Sequence, residues 1–174
     1  MKTKNLVLIA LLLGMGTVLS LILAVTFAGM RPDVLLVMMF IAILLFPEKK
    51  HVLLTGLLTG ILSGLISTFP GGFIPNIIDK LITAFVCLGL VLMLQKLTPI
   101  VRAGIISVIG TFVSGIVFLS SALIIVSLPA PFLALFNLVV LPALALNTIL
   151  IVIVYPIVQS VLKRSNFEPI QRAV

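Results

Sequence analysis

The sequence predicts an all-α integral membrane protein, a single domain over residues 1–174 with six transmembrane helices and both termini cytoplasmic. Three observations lead there. The chain is 62% hydrophobic and only 9% charged, with mean hydropathy +1.46, whereas soluble domains run roughly half apolar and a quarter charged. Charges and Pro/Gly clusters divide it into apolar runs near the ~20 residues that a membrane-crossing helix needs. Finally, its cations fall on alternate sides of those runs.

The runs are Leu6–Ala28, Asp33–Phe46, Val52–Phe69, Asn76–Leu94, Arg102–Leu128 and Pro131–Leu162. With the N-terminus inside, nine cations lie on the cytoplasmic face: Lys2, Lys4, Lys49, Lys50, Lys96, Arg102, Lys163, Arg164 and Arg172. Only two, Arg31 and Lys80, fall on the outer face. This asymmetry is the positive-inside pattern. The net charge of +7 is thereby read as orientation in a lipid bilayer rather than as a nucleic-acid footprint.

The first run opens with lysines and an apolar core, as a secretory signal does. It extends past 20 residues, however, and Thr26-Phe27-Ala28 makes a poor cleavage site. It is expected to stay as an uncleaved first span. Along it, Ala10 and Gly14 form a small-xxx-small pair, followed by Gly16 and Ser20. The third span carries Gly56, Gly60 and Gly64 beside Thr55, Thr59, Ser63 and Ser67. The fifth carries Ala103, Ser107, Thr111 and Gly115. Such ridges let helix backbones approach closely where no hydrophobic effect drives association. The double ridge of the third span suits a central helix, while the first span's pair faces either a neighbouring helix or another membrane protein.

The second and fourth spans are short of apolar residues at their outer ends. Only Val34–Phe46, 13 residues, is wholly apolar between Pro32 and Pro47, roughly 20 Å of helix against a hydrocarbon core of about 30 Å. The fourth span is apolar only past Asp79 and Lys80. Arg31/Asp33 and Asp79/Lys80 therefore lie either at a thinned bilayer surface, as ion pairs capping two helices, or within a polar pocket. Charges at that depth each cost roughly 2.5–3.5 kcal/mol unless paired or facing water. A pocket of both signs suits a zwitterion such as an amino acid, the cation taking its carboxylate and an aspartate its ammonium. Asn76, Asp79 and Lys80 fall at i, i+3 and i+4, on one helix face. Phe27, Met30, Phe69, Phe73, Phe132 and Phe136 fall near the outer span ends, where they form either an adaptable aromatic wall or a lipid-facing fringe. Gly71 and Gly72 in the FPGGFIP loop (69–75) and Asn137 in the sixth span complete the candidate set.

Enzyme chemistry finds no support. No phosphate-binding G-x-x-x-x-G-K-[ST] loop is present. The single cysteine, Cys87, lies inside an apolar run, and the single histidine, His51, is read as a solvated loop residue in EKKH without a second metal ligand nearby. No metal or cofactor is expected.

The chain resembles an S-component of the energy-coupling factor (ECF) transporters and, among them, the tryptophan-transport family of Gram-positive bacteria. The resemblance covers essentially the whole chain. It rests on six spans in under 200 residues, ALLLG (10–14), GMRPDVLLVMMF with ILLFP (29–47), and FPGGFIPNIIDKLITAF (69–85). It implies a substrate-capture subunit in the bacterial plasma membrane, with tryptophan as substrate. Its partners would be an ECF transmembrane coupling protein and two ATPases, met through Ala10 and Gly14, glycine standing where the family's second alanine is expected. The absence of tryptophan from the chain agrees with a protein made when tryptophan is scarce. A self-sufficient secondary carrier and a non-transporting scaffold remain open readings of the residues alone.

Overall fold

The computed structural model describes residues 3–23, 33–128 and 130–165, and all regular structure among them is helical. Helix α1 spans Thr3–Ile22, α2 Val34–Leu45, α3 Lys49–Leu65, α4 Phe73–Met93 and α5 Pro99–Ile125. A short α6, Phe132–Leu135, runs through a π-helical turn, Phe136–Val140, into α7, Leu141–Arg164. Four of these stretches are long and apolar enough to cross a membrane: α1, α4, α5 and the continuous run Phe132–Arg164. Helices α2 and α3 are shorter, with 12 and 17 residues. The expected sixth span is thus interrupted, by a π turn that widens the helix where it meets α5. A Cβ on Gly115 would lie 2.4 Å from Val140 Cγ1, so only a glycine lets the turn pack there.

The expectation that the third span is central is corrected. Helix α2 occupies the middle, in contact with α1, α3, α4, α5 and α7. Every residue from Val34 to Phe46 is buried, at 2% exposure or less. Its sequence explains this: with no polar residue in Val34–Leu45, no face of it calls for water, and a helix apolar all round belongs inside other helices. Asp33 starts it, its Oδ1 accepting the Leu36 N–H at 2.9 Å. Pro47 follows Phe46 and stops it.

The glycines of α3 serve a different end from centrality: they bring its backbone onto α4. A Cβ on Gly56 would lie 2.8 Å from Ala84 Cβ, one on Gly60 2.7 Å from Ile77 Cα, and one on Gly64 3.1 Å from Phe73 Cα. In α1 the small residues divide. Gly16 abuts α2, where an added Cβ would meet Met38 Cγ at 3.0 Å and Leu35 Cα at 3.2 Å. Ala10 and Gly14 face outward, and a Cβ on Gly14 would meet nothing within 4 Å.

His51 is also corrected. It is buried, at 1% exposure, in the first turn of α3, its Nδ1 3.1 Å from Glu48 Oε2 and its ring 5.8 Å from that of Phe46. A solvated loop was read from the neighbouring EKK, but the helix starts at Lys49 and turns His51 inward.

Candidate functional site

The polar residues of four helices converge on one cavity of about 370 Å³. From α4, whose strongly one-sided pattern places Asn76, Asp79, Lys80 and Thr83 on its buried face, come the charges. Asp79 and Lys80 are 0% and 3% exposed. Lys80 Nζ donates to Asp79 Oδ2 at 2.7 Å, to Asp33 Oδ2 at 3.0 Å and to Ser114 Oγ at 3.2 Å. Asp79 accepts further hydrogen bonds, from Thr83 Oγ1 at 2.9 Å onto Oδ1 and from Ser114 Oγ at 2.8 Å onto Oδ2. Every charge is thereby paired and hydrogen-bonded, as burial away from water requires.

The N-terminus of α2 enters the cluster through Asp33, whose side chain keeps 34% exposure while that of Lys80 keeps 4%. It is tied to the far side by Asn147 of α7. Asn147 Oδ1 accepts the Asp33 backbone N–H at 2.9 Å, and its Nδ2 donates to Thr111 Oγ1 at 3.3 Å. Asn147 is fully buried, and a buried amide in a helical bundle must find such partners. Asn76 Nδ2 donates to Gly72 O at 2.7 Å, back across the first turn of α4.

The other walls are mostly apolar: Leu36, Ile66, Phe69, Phe118, Leu119, Leu135, Val139 and Val140, with Leu21 from α1. Phe69 and Phe118 meet edge to face, their centroids 5.4 Å apart, a favoured aromatic geometry. Such a space fits the general form of a ligand site, concave and apolar with a few convergent polar groups.

Of the residues expected from the sequence, Asp33, Phe69, Asn76, Asp79 and Lys80 line this cavity together. Met30, Arg31 and Phe27 lie outside the described residues. Gly71, Gly72, Phe73 and Asn137 are not in the lining. Gly71 has φ +68° and packs against Val126 in the turn before α4, and Gly72 accepts from Asn76, so the two glycines shape the helix start. Phe73 is 42% exposed, and Asn137 sits on the outer side of the π turn. Phe132 and Phe136 also lie outside the lining, stacked at 6.4 Å, with Phe112 edge-on to Phe136 at 5.7 Å. Sequence reasoning missed Thr83, Thr111, Ser114, Phe118 and Asn147. Thr111 had been read only as a close-packing residue, and the signal that marks it and Ser114 is their place beside Gly110 and Gly115 in α5, the helix opposite Lys80, while Thr83 lies one turn after Asp79 in α4.

No solved structure matches the chain. Three proteins each named as a probable tryptophan transport protein are similar to it over nearly their whole length. One from Bacillus subtilis (strain 168) is 53% identical over 167 residues, 96% of this chain and 97% of that protein. One from Clostridium acetobutylicum is 42% identical over 156 residues, 89% of this chain and 91% of that one. One from Clostridium perfringens (strain 13 / Type A) is 38% identical over 175 residues, 95% and 96% of the two chains. The family model described as "Tryptophan transporter TrpP" matches residues 2–163, and the chain belongs to that family of membrane transport proteins.

Proposed function

We propose that this chain is the substrate-binding membrane subunit for tryptophan uptake and that it works with an ECF energising module in the bacterial plasma membrane. The observation that carries the reading is the cavity itself. Charges of both signs, the buried Asp79 and Lys80 and the partly exposed Asp33, share it with an aromatic and aliphatic wall built on Phe69 and Phe118. The charged end of an amino acid needs the first and an indole the second. The names of the relatives, each a probable tryptophan transport protein, support the choice of amino acid.

In this reading the chain crosses the membrane six times, α2 and α3 included, with both termini cytoplasmic. Burial of Lys80 strengthens the charge argument. It is a residue of the cavity and not a loop charge, which leaves Arg31 as the sole cation of the segments assigned to the outside. The outward face of α1 at Ala10 and Gly14 is where the coupling protein docks.

The test uses the protein's own lack of tryptophan. Titrating tryptophan into purified protein and following indole emission should give a saturable blue shift that alanine does not compete. Folded protein that leaves the emission unchanged would remove tryptophan as the substrate. Uptake by cells with and without the coupling protein tests the partnership, and equal uptake in both would remove it.

A further inference from the structure

We infer that the cavity reads its ligand chiefly through the ammonium group, with Asp33 as the residue that receives it, and that Lys80 positions the acids rather than binding the ligand's carboxylate. This rests on the proposed function and deepens it.

The argument is one of donors, acceptors and charge. A lysine ammonium has three N–H donors, and all three of Lys80's have acceptors within the protein: Asp79, Asp33 and Ser114. None is left for a ligand carboxylate. Asp79 is equally committed, with Lys80, Thr83 and Ser114 donating to it, and its side chain is 1% exposed. Asp33 differs. Its carboxylate is 34% exposed, lines the cavity, and among the described residues accepts from only Leu36 N and Lys80 Nζ, while a carboxylate offers about four lone-pair sites.

The charge points the same way. Two carboxylates and one ammonium leave a net −1 among the described groups of the cluster, enclosed by apolar walls. A cation is the complement that the described part of such a site favours. Among the described residues the donors that remain toward the cavity are neutral: serine and threonine hydroxyls such as Ser63 and Thr68, and the amides of Asn147 and Asn76, each with one hydrogen bonded, to Thr111 and to Gly72, and a second without a partner among the described residues. Neutral donors hold a carboxylate about half as strongly as charged ones. The ammonium is accordingly the end that the site discriminates.

Three indole ligands separate the ends: tryptophan, tryptamine (amine only) and indole-3-propionate (carboxylate only). All three fluoresce, and the chain has no tryptophan to interfere. Tryptamine is expected to bind within about tenfold of tryptophan, and indole-3-propionate at least about 30-fold more weakly, the loss that follows when a desolvated charge is left unpaired. Asp33→Asn keeps a helix-capping side chain while removing the charge. It should erase the preference for tryptamine over indole-3-propionate, chiefly by weakening the amines. If tryptophan binds but indole-3-propionate binds as tightly and tryptamine does not, the carboxylate is the end that is read and the inference falls alone. An undiminished amine preference in Asp33→Asn also overturns it. If folded protein binds none of the three, the tryptophan reading falls and takes the inference with it.

Discussion

Replacing Gly60 by alanine adds one methyl group at the closest backbone approach of α3 to α4. Its Cβ would sit 2.7 Å from Ile77 Cα, 3.2 Å from Asn76 O and 3.4 Å from Ile77 O. All three are backbone atoms, so no side chain can swing aside. Carbon atoms pack at about 3.5–4.0 Å, so α3 and α4 must separate locally by about 1 Å. Overpacking of this kind costs about 1–3 kcal/mol, against which alanine returns roughly 1 kcal/mol of helix propensity. The net loss of up to about 2 kcal/mol lowers the melting temperature by up to about 8 °C at this chain length, and the gap to a glycine-to-alanine change made without overpacking is the full cost of about 1–3 kcal/mol. The contact point carries a second consequence, because Asn76 and Ile77 lie one turn before Asp79 and Lys80. Moving that turn stretches bonds from α4 to Ser114 and Asp33 that now measure 2.8–3.2 Å, and affinity for tryptophan should fall about tenfold or more. The buried thiol of Cys87 reports the melt through a thiol-reactive dye. The control is Gly89→Ala on the same helix α4, where an added Cβ meets nothing within 4 Å. That variant should melt at or slightly above the parent temperature and bind normally. If Gly60→Ala and Gly89→Ala melt together and bind alike, α3 does not press on α4 as described and the reasoning fails.

Three further outcomes follow from the same contacts. Asp79→Ala strips Lys80 of its 2.7 Å partner and leaves Thr83 and Ser114 without their acceptor; a loss of about 3 kcal/mol in stability and of tryptophan binding is expected, and unchanged calorimetric affinity would contradict it. Asn147→Leu removes the acceptor of the Asp33 N–H and the donor to Thr111; about 1–3 kcal/mol should be lost from the cavity's organisation, seen as a lower melting point and weaker tryptophan binding. Gly14→Leu adds bulk where α1 faces outward, so tryptophan binding and melting should match the parent while cellular uptake falls at least tenfold; normal uptake would remove the docking role.

The parts of the site carried by one helix were legible in the sequence, and the parts carried between helices were not. Asn76, Asp79 and Lys80 declare a common face by their spacing alone, and all three are buried on it. That Asp33 meets Lys80, 47 positions away, depends on how α2 crosses α4, which no local pattern encodes. Asn147 shows the same limit. The sixth span holds two asparagines, and only Asn137 was placed in the candidate set. The π turn at Phe136–Val140 inserts a register shift that periodicity cannot anticipate; Asn147 lies beyond it and faces inward, whereas Asn137, within it, faces outward. Serines and threonines in α4 and α5 were ambiguous for a chemical reason, since a small hydroxyl residue serves close packing and hydrogen bonding equally well. The short second span was legible as short, but its cause was not. Its apolar length was compared with lipid, whereas it is enclosed by protein.

That enclosure makes α2 unlike the helices around it in what it can tolerate. A helix with one buried face accepts substitution in a rhythm, forgiving every third or fourth position where it meets lipid. Val34–Phe46 has no such position. A systematic scan of amino-acid replacements should therefore show a solid block of intolerance over these residues, without the 3.6-residue beat expected in α1, α5 and α7. Evolution would have to change this helix in concert with several neighbours at once, or leave it alone.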